Sequence, residues 1–463
     1  MLIRNASRLD GTPFDLRIAQ GRIVAMDRAL APEAGEPVID AAGGALLPGL
    51  NDHHLHLMAA AAALQSVRCG PPEVNDPEAL AAALHAAAQP GRWLRGVAWH
   101  ESVMADVAPL DRDWLDRHGP TVPIRIQHRS GRLWVLNSLA LDAIGPLDDT
   151  APLQRHHGRL TGHLLDGDLW LRQRLPGTRP SLAPLSQRLA AFGVTGVTDA
   201  TPANNLDAAE GYRDAQQRGE LRQSLRLMGN ASLDALVDHS GLTRGEGKFH
   251  LHEHALPDFD VLVGQIRARH AAGRAAAFHC VSRIELVYAL EALRAAGTLA
   301  GDRIEHGGIC APEAVEALQA LRLTVVSQPH FIAEKGDRYR LEVEAHDQPW
   351  LYRLQGLQAA GIPVAAGTDA PFGGLNPWAS MQAAVDRRCR DGSVMGAMEA
   401  LTPEAALGLY TGTPDAPGIP RYELAPGQAA DLCLIDRPWQ VVRHQLAAVK
   451  VVNTWRAGAL ISG

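Results

Sequence analysis

The chain has 463 residues, 46% of them hydrophobic and 21% charged, an ordinary globular composition that excludes an intrinsically disordered protein. Its net charge of −7 argues against nucleic-acid binding, which needs a basic face. The N-terminus lacks the apolar core of a signal peptide, the alanine-rich runs are too short to span a bilayer, and five cysteines without a CxxC pair fit a reducing cytoplasm.

The first 45 residues alternate apolar and polar in short pieces, "FDLRIA", "GRIVAM" and "PVIDAAG", which read as strands joined by turns. The end of the chain repeats this in "ADLCLID", "AVKVVNTW" and "RAGALI". Residues 1–45 and 421–463 are therefore expected to form one small β-sandwich domain from both termini. Between them, residues 46–420 alternate strands and helices. The strand candidates are 46–54, 194–200, 224–229, 247–254, 275–280, 303–306, 324–329 and 364–370, with helical patterns such as "DFDVLVGQIRARHAAG" and "APEAVEALQALR" between them. Eight such units point to a closed parallel (β/α)8 TIM barrel. Residues 60–190 interrupt the scheme with one helix ("NDPEALAAALHAAAQPG"), one strand ("VPIRIQH") and many tryptophans. They are expected to be an insertion folding over the barrel mouth.

Several of these strands end in a metal ligand or a base: His54 and His56, Lys248, His279, His306 and Asp369. In such a barrel the carboxyl ends converge on one face, where active sites sit. On a strand, residues i and i+2 point the same way, so His54 and His56 can reach one ion while His53 points elsewhere. Neutral imidazole suits zinc and similar ions. An H-x-H pair alone is a weak signal; with histidines at 279 and 306 and an aspartate at 369 it becomes a strong one.

These stretches resemble the amidohydrolase superfamily, and within it the YtcJ-like or amidohydrolase 3 group that includes N-substituted formamide deformylases. The matching pieces are "PGLNDHHLHL", "GVTGVTDA", "FHCV", "RIEHG", "QPHF", "AAGTDAPFG", "NPW", "LTPEAALGLYT" and "APGQAADLCLID", in the family's order. The resemblance implies a hydrolase that uses one or two divalent ions, Zn2+ in type, to activate water against a small molecule. His54 and His56 match the first-strand ligands, His279 and His306 those of the fifth and sixth strands. Asp369 matches the eighth-strand aspartate that binds metal and takes the water's proton. Lys248 matches the lysine that many relatives carry as a CO2-derived carbamate. Amide, N-acyl or N-formyl cleavage is the reading preferred here. A deaminase or a cyclic-amide or lactone hydrolase uses the same scaffold, and a non-catalytic binding barrel would be expected to have lost ligands that are all present. A homo-oligomer is compatible with all of these.

Other residues carry two readings each. Asp52 either orients a ligand imidazole or caps a turn. Relatives often have "DGHxxWxN" where this chain has "RSGRLWVLNS", so Arg132 stands in a histidine's place, with His128 four residues earlier. Arg132 would clamp a substrate carboxylate through paired hydrogen bonds or be a solvated loop charge. In "KFHLHEH", His250, His252 and His254 follow Lys248 in alternation. They would contact substrate, supply an extra metal site, or form a polar strand exit. His330 is expected on the loop after the seventh strand. Trp134 and Trp378 would line an apolar pocket or simply be packed.

Overall fold

The eight segments expected as barrel strands lie side by side, in chain order, in one sheet. In this computed structural model, which describes residues 1–105, 109–147, 151–175 and 179–463, they are β1 (Leu50–Leu55), β2 (Val194–Asp199), β3 (Ser224–Gly229), β4 (Leu242–His250), β5 (Ala276–Cys280), β6 (Arg303–His306), β7 (Thr324–Ser327) and β8 (Val364–Ala366). Every neighbouring pair is parallel. β1 and β2 are buried at every position, as strands covered on both faces must be. The sheet closes just past β8: the Asp369 N–H donates to His54 O at 2.7 Å and the His56 N–H to Ala370 O at 2.9 Å. A Cβ at Gly367 would come within 2.4 Å of the His54 nitrogen, so only glycine lets the two strands meet there.

Helices connect the strands. Arg283–Ala296 starts from a capping box, with the Ser282 hydroxyl accepting from the Glu285 N–H and the Glu285 carboxylate from the Ser282 N–H. It buries Leu286, Ala289, Leu290 and Leu293, the spacing of one helical face. The segments "DFDVLVGQIRARHAAG" and "APEAVEALQALR" form helices Phe259–Ala271 and Pro312–Ala320.

The strand expected at 46–54 is two strands. Leu46–Pro48 pairs antiparallel with Leu432–Ile435, and after Gly49 the chain enters the barrel as β1. The apolar run is continuous because both sheets bury this segment, so hydrophobicity does not mark the change of sheet. Leu46–Pro48, Leu432–Ile435, Val451–Arg456 and Ala459–Ser462 form one four-stranded sheet. Leu2–Ser7, Pro13–Ala19, Arg22–Asp27 and Val38–Asp40 form another. Ile3, Phe14, Leu16 and Ile18 from one sheet share a core with Leu432, Leu434 and Trp455 from the other, which makes the pair a sandwich.

Residues Met58–Ser181 form a compact unit of their own, and Met1–Leu57 with Leu182–Gly463 form the other. The unit Met58–Ser181 is built on a six-stranded sheet, in the order Leu153–His156, Arg159–Leu165, Leu133–Leu136, Ile124–His128, Leu94–Trp99, Val67–Arg68. Its core gathers Cys69, Leu80, Leu94, Trp99, Trp114, Ile124 and Ile126. The sequence shows only one of these strands plainly. Val67–Arg68, Leu133–Leu136 and Leu153–His156 are short, and charged side chains such as Arg68, Arg95 and Arg155 blur the alternation. No helix among the described residues is long and apolar enough to cross a membrane. All five cysteines are unpaired and buried.

Candidate metal centre

His54 and His56 leave the end of β1, and Asp369 follows β8, its neighbour across the barrel closure. The Asp369 Oδ1 lies 3.2 Å from His56 Nε2 and 3.5 Å from His54 Nε2, and one ligand atom from each of the three lies within 4.8 Å of the others. Asp369 has φ +51° and His306 φ +70°. Such left-handed backbone costs a non-glycine residue about 1–3 kcal/mol and tends to cluster at functional sites. It turns both strand ends sharply, so that neighbouring residues need not alternate faces there.

The imidazoles are held from behind. His54 Nδ1 bonds to the Glu305 carboxylate. His56 Nδ1 lies 2.9 Å from Thr201 Oγ1, and His306 Nδ1 lies 2.6 Å from Gln328 Oε1. With the N–H of His54 and His306 directed at oxygen acceptors, Nε2 keeps its lone pair, the tautomer that a metal requires. His306 stands beside His54 with ring centroids 4.8 Å apart, and His279 beside His306 at 4.5 Å. Burial pushes His306 down to about 3 and depresses His54 and His279 as well, keeping the rings neutral. For Asp369, burial works to raise the carboxyl, but the hydrogen bond to His56 and the neighbouring imidazoles outweigh it and hold the group ionised, below its usual range.

Glu305, Thr201 and Gln328 did not stand out in the sequence. Glu305 is fully buried; Arg303 donates to it from the same strand face and also donates to the His53 carbonyl at 2.8 Å. Burial works to raise Glu305, yet Arg303, Lys248 and His54 together pull it well below the carboxylate range. The "RIE" that precedes His306 offered a signal: two opposite charges at i and i+2 in an otherwise apolar strand need a common buried partner.

Lys248 lies at the same face of β4. Its side chain is buried and its Nζ has no hydrogen-bond partner among the described residues. Burial lowers its pKa from the lysine value. A buried, unpartnered amine is costly.

The remaining candidates have other engagements. Asp52 accepts the Thr368 N–H at 2.9 Å, the Thr368 hydroxyl and the His54 N–H at 3.2 Å. It therefore ties β1 to the β8 exit through backbone and hydroxyl groups rather than through an imidazole, and burial pushes its carboxyl up to about 7. His330 is not on a loop: it is buried at the start of helix His330–Glu342, with Nδ1 3.0 Å from Ser380 Oγ and Nε2 3.0 Å from Thr368 O. Both its nitrogens are in use, and they hold the loop that carries Asp369. Trp378 is packed in helix Pro377–Asp386 and donates to Phe192 O at 3.0 Å. His252 lies just beyond β4, its ring 4.3 Å from that of His250.

Arg132, His128 and Trp134 belong to the unit Met58–Ser181. Arg132 does form a two-pronged carboxylate clamp, but on Asp166 of this chain, with Nε to Oδ1 at 2.7 Å and a second bond from Nη2. His128 bonds to Ser130 Oγ at 2.7 Å and Glu101 Oε2 at 3.1 Å, and the buried Trp134 donates to Asp168 Oδ1 at 3.0 Å. A further group near Asp337, Cys389 and Asp391 also has metal-like spacing. There the Arg340 guanidinium lies 3.3 Å from Asp391 and 3.9 Å from the Cys389 sulfur, supplying the positive charge itself.

The sequence profile of the amidohydrolase family matches residues 37–461. The chain belongs to the amidohydrolase family. The enzyme is 26% identical to the N-substituted formamide deformylase of Arthrobacter pascens, over 93% of this chain and 90% of that protein. It is 22% identical to Protein LONG AFTER FAR-RED 3 of Arabidopsis thaliana, over 76% and 70%. Among solved structures, an uncharacterized metal-dependent hydrolase from Pyrococcus horikoshii OT3 shares the fold with a TM-score of 0.76 at 20% identity, covering 96% of this chain and 98% of that one. The 5-methylcytosine deaminase from Klebsiella pneumoniae shares it with a TM-score of 0.54 at 17% identity, covering 100% and 98%. Family and fold together make this enzyme a metal-dependent hydrolase.

Proposed function

We propose that the enzyme cleaves a non-peptide C–N bond, that of an N-acyl or N-formyl amide of a small molecule, with water as the nucleophile. The observation that carries this is the meeting of His54 Nε2, His56 Nε2 and Asp369 at one point, with each imidazole's other nitrogen engaged by an oxygen. The likeness to the formamide deformylase along nearly the whole chain supports the substrate class. The five unpaired buried cysteines fit a cytoplasmic enzyme.

His54, His56 and Asp369 would hold one ion, zinc being the natural choice for imidazole ligands. His279, His306 and Lys248 would hold a second or complete the first. The unpartnered Lys248 Nζ fits carboxylation: the neutral amine adds to CO2, a proton leaves, and the product is an anionic oxygen donor. A divalent ion in such a site lowers the pKa of water from 15.7 toward about 7 and polarises a carbonyl oxygen as a Lewis acid.

The chain's own residues do the rest. Asp369 is ionised, so it accepts the proton from the attacking water and returns it to the departing amine, a role typically worth about 10²–10⁴-fold. Glu305 and Thr201 keep His54 and His56 in one orientation. Asp52 and His330 fix Thr368, and with it the Asp369 backbone.

A panel of N-substituted formamides, N-acetyl amides and aminopyrimidines tests this reading. The expected result is formate or acetate release, lost after chelation and restored by Zn2+, with a carbamate carbon signal from protein equilibrated with 13C-bicarbonate. Ammonia release from the aminopyrimidines alone would instead assign deamination.

A further inference from the structure

A file of alternating charges leads from β3 to His54. On β3, Arg226 grips the Glu246 carboxylate of β4, with Nη2 3.1 Å from Oε1 and Nε 3.2 and 3.3 Å from the two oxygens. The same Oε1 lies 4.0 Å from Arg303 Nη1 on β6, an atom with no hydrogen-bond partner among the described residues. Arg303 donates from Nε to one Glu305 oxygen and from Nη2 to the His53 carbonyl at 2.8 Å. The other Glu305 oxygen bonds to His54 Nδ1. β5 separates β4 from β6, and β7 and β8 separate β6 from β1. These links therefore cross the interior of the barrel instead of following its wall. Glu246, Arg303 and Glu305 are at most 3% exposed. Arg274 fixes the backbone at Glu246, donating to Gly245 O and Glu246 O, both at 2.7 Å.

We propose that Glu246 is a positioning residue for His54: through Arg303 and Glu305 it sets how strongly that imidazole donates to a metal ion. This rests on His54, His56 and Asp369 being a metal site. In a buried, weakly screened setting, charges act on one another across several ångströms. Arg303 stands between two carboxylates. The part of its positive field that Glu246 neutralises no longer falls on Glu305. The Glu305 carboxylate then keeps more negative charge for the His54 N–H, and Nε2 becomes the better electron donor. Arg226 acts in the opposite sense, because it neutralises Glu246. The sign of each effect follows from a residue's place in the file, not from how much stability it contributes.

The test uses the full-length protein, stripped by a chelator and titrated with Zn2+ in competition with an indicator. In Glu246→Gln, Zn2+ affinity is expected to fall about tenfold, the low end for groups outside a metal's immediate ligands. In Arg226→Gln it is expected to hold or rise, although both variants leave a buried charge with one partner fewer and should melt lower. A residue that only supports the fold would shift both affinities the same way. Glu246→Asp keeps the charge and is expected to recover most of the affinity. A second readout needs no metal. The proton that His54 Nδ1 donates to Glu305 gives an NMR signal downfield of the amides, identified by its loss in Glu305→Gln. It is expected to move upfield in Glu246→Gln and not in Arg226→Gln. Folded Glu246→Gln protein with the parental affinity and proton shift, or equal losses in both variants, overturns the inference. Should Glu246→Gln not fold, Arg226→Gln decides: a weaker affinity and an upfield proton overturn it. Wild-type protein that binds no Zn2+ overturns the metal reading, while the proton shifts still decide whether Glu246 acts on His54.

Discussion

The mouth of the barrel and the unit Met58–Ser181 hold the same kinds of polar side chain but treat them differently. In Met58–Ser181, Arg132 is closed onto Asp166, His128 onto Glu101 and Ser130, and Trp134 onto Asp168. Asn137 is buried and engages both ends of its amide: its oxygen accepts from the Ile124 and Ala140 N–H groups and its nitrogen donates to Val122 O, all at 2.9 Å. Around the barrel ends, His54, His56 and His306 are each tied at Nδ1 by Glu305, Thr201 and Gln328, and the Lys248 amine has no partner among the described residues. A side chain whose polar atoms are all matched by its own chain is holding structure together. One that is anchored on one side and open on the other is prepared for a ligand.

Substitutions on the two sides should therefore fail in different ways. The largest effect is expected from Asp369→Asn, which keeps the shape and removes the proton acceptor. On a substrate found in the panel, kcat should fall by about 10²–10⁴-fold while bound metal is measured alongside. A parental rate would break the assignment of Asp369 as the base. Next comes Glu305→Gln, which weakens the hold on His54 Nδ1. Metal affinity measured by chelator competition should fall by about 10–100-fold, and the melting temperature should drop because Arg303 is left buried beside a neutral group. Unchanged affinity together with lowered stability would make Glu305 a structural residue only. The smallest effect is expected from Arg132→Ala. Its pair with Asp166 is about half exposed on each side, so chemical denaturation should show a loss below about 1 kcal/mol. A loss several times larger would mean that the pair is more than an isolated surface contact.

Much of the centre was legible because metal ligation demands particular residue types at the ends of particular strands. His54, His56 and Asp369 could be read from the two-residue spacing and from the strand order, since β1 and β8 are neighbours in any closed barrel of this kind. Glu305, Gln328 and Thr201 could not. Their importance lies in contacts across 251, 22 and 145 residues of sequence, and beyond the charge pair in "RIE" nothing local distinguishes them from other buried polar groups. His330 and Asp52 were visible as polar residues near the centre, but which atoms they touch depends on how Thr368 is held. Arg132 shows the opposite case: its capacity for a bidentate clamp was plain, and its partner was not.

By itself the sequence determined the eight parallel strands, the sandwich strands at both ends and the residue types of the centre, because periodicity and composition are written locally. Only the tertiary structure decided where the strand 46–54 changes sheets, how many strands the unit Met58–Ser181 contains, and which nitrogen of each imidazole is anchored. Those outcomes depend on which distant groups come within hydrogen-bonding reach, and that is settled by packing rather than by pattern.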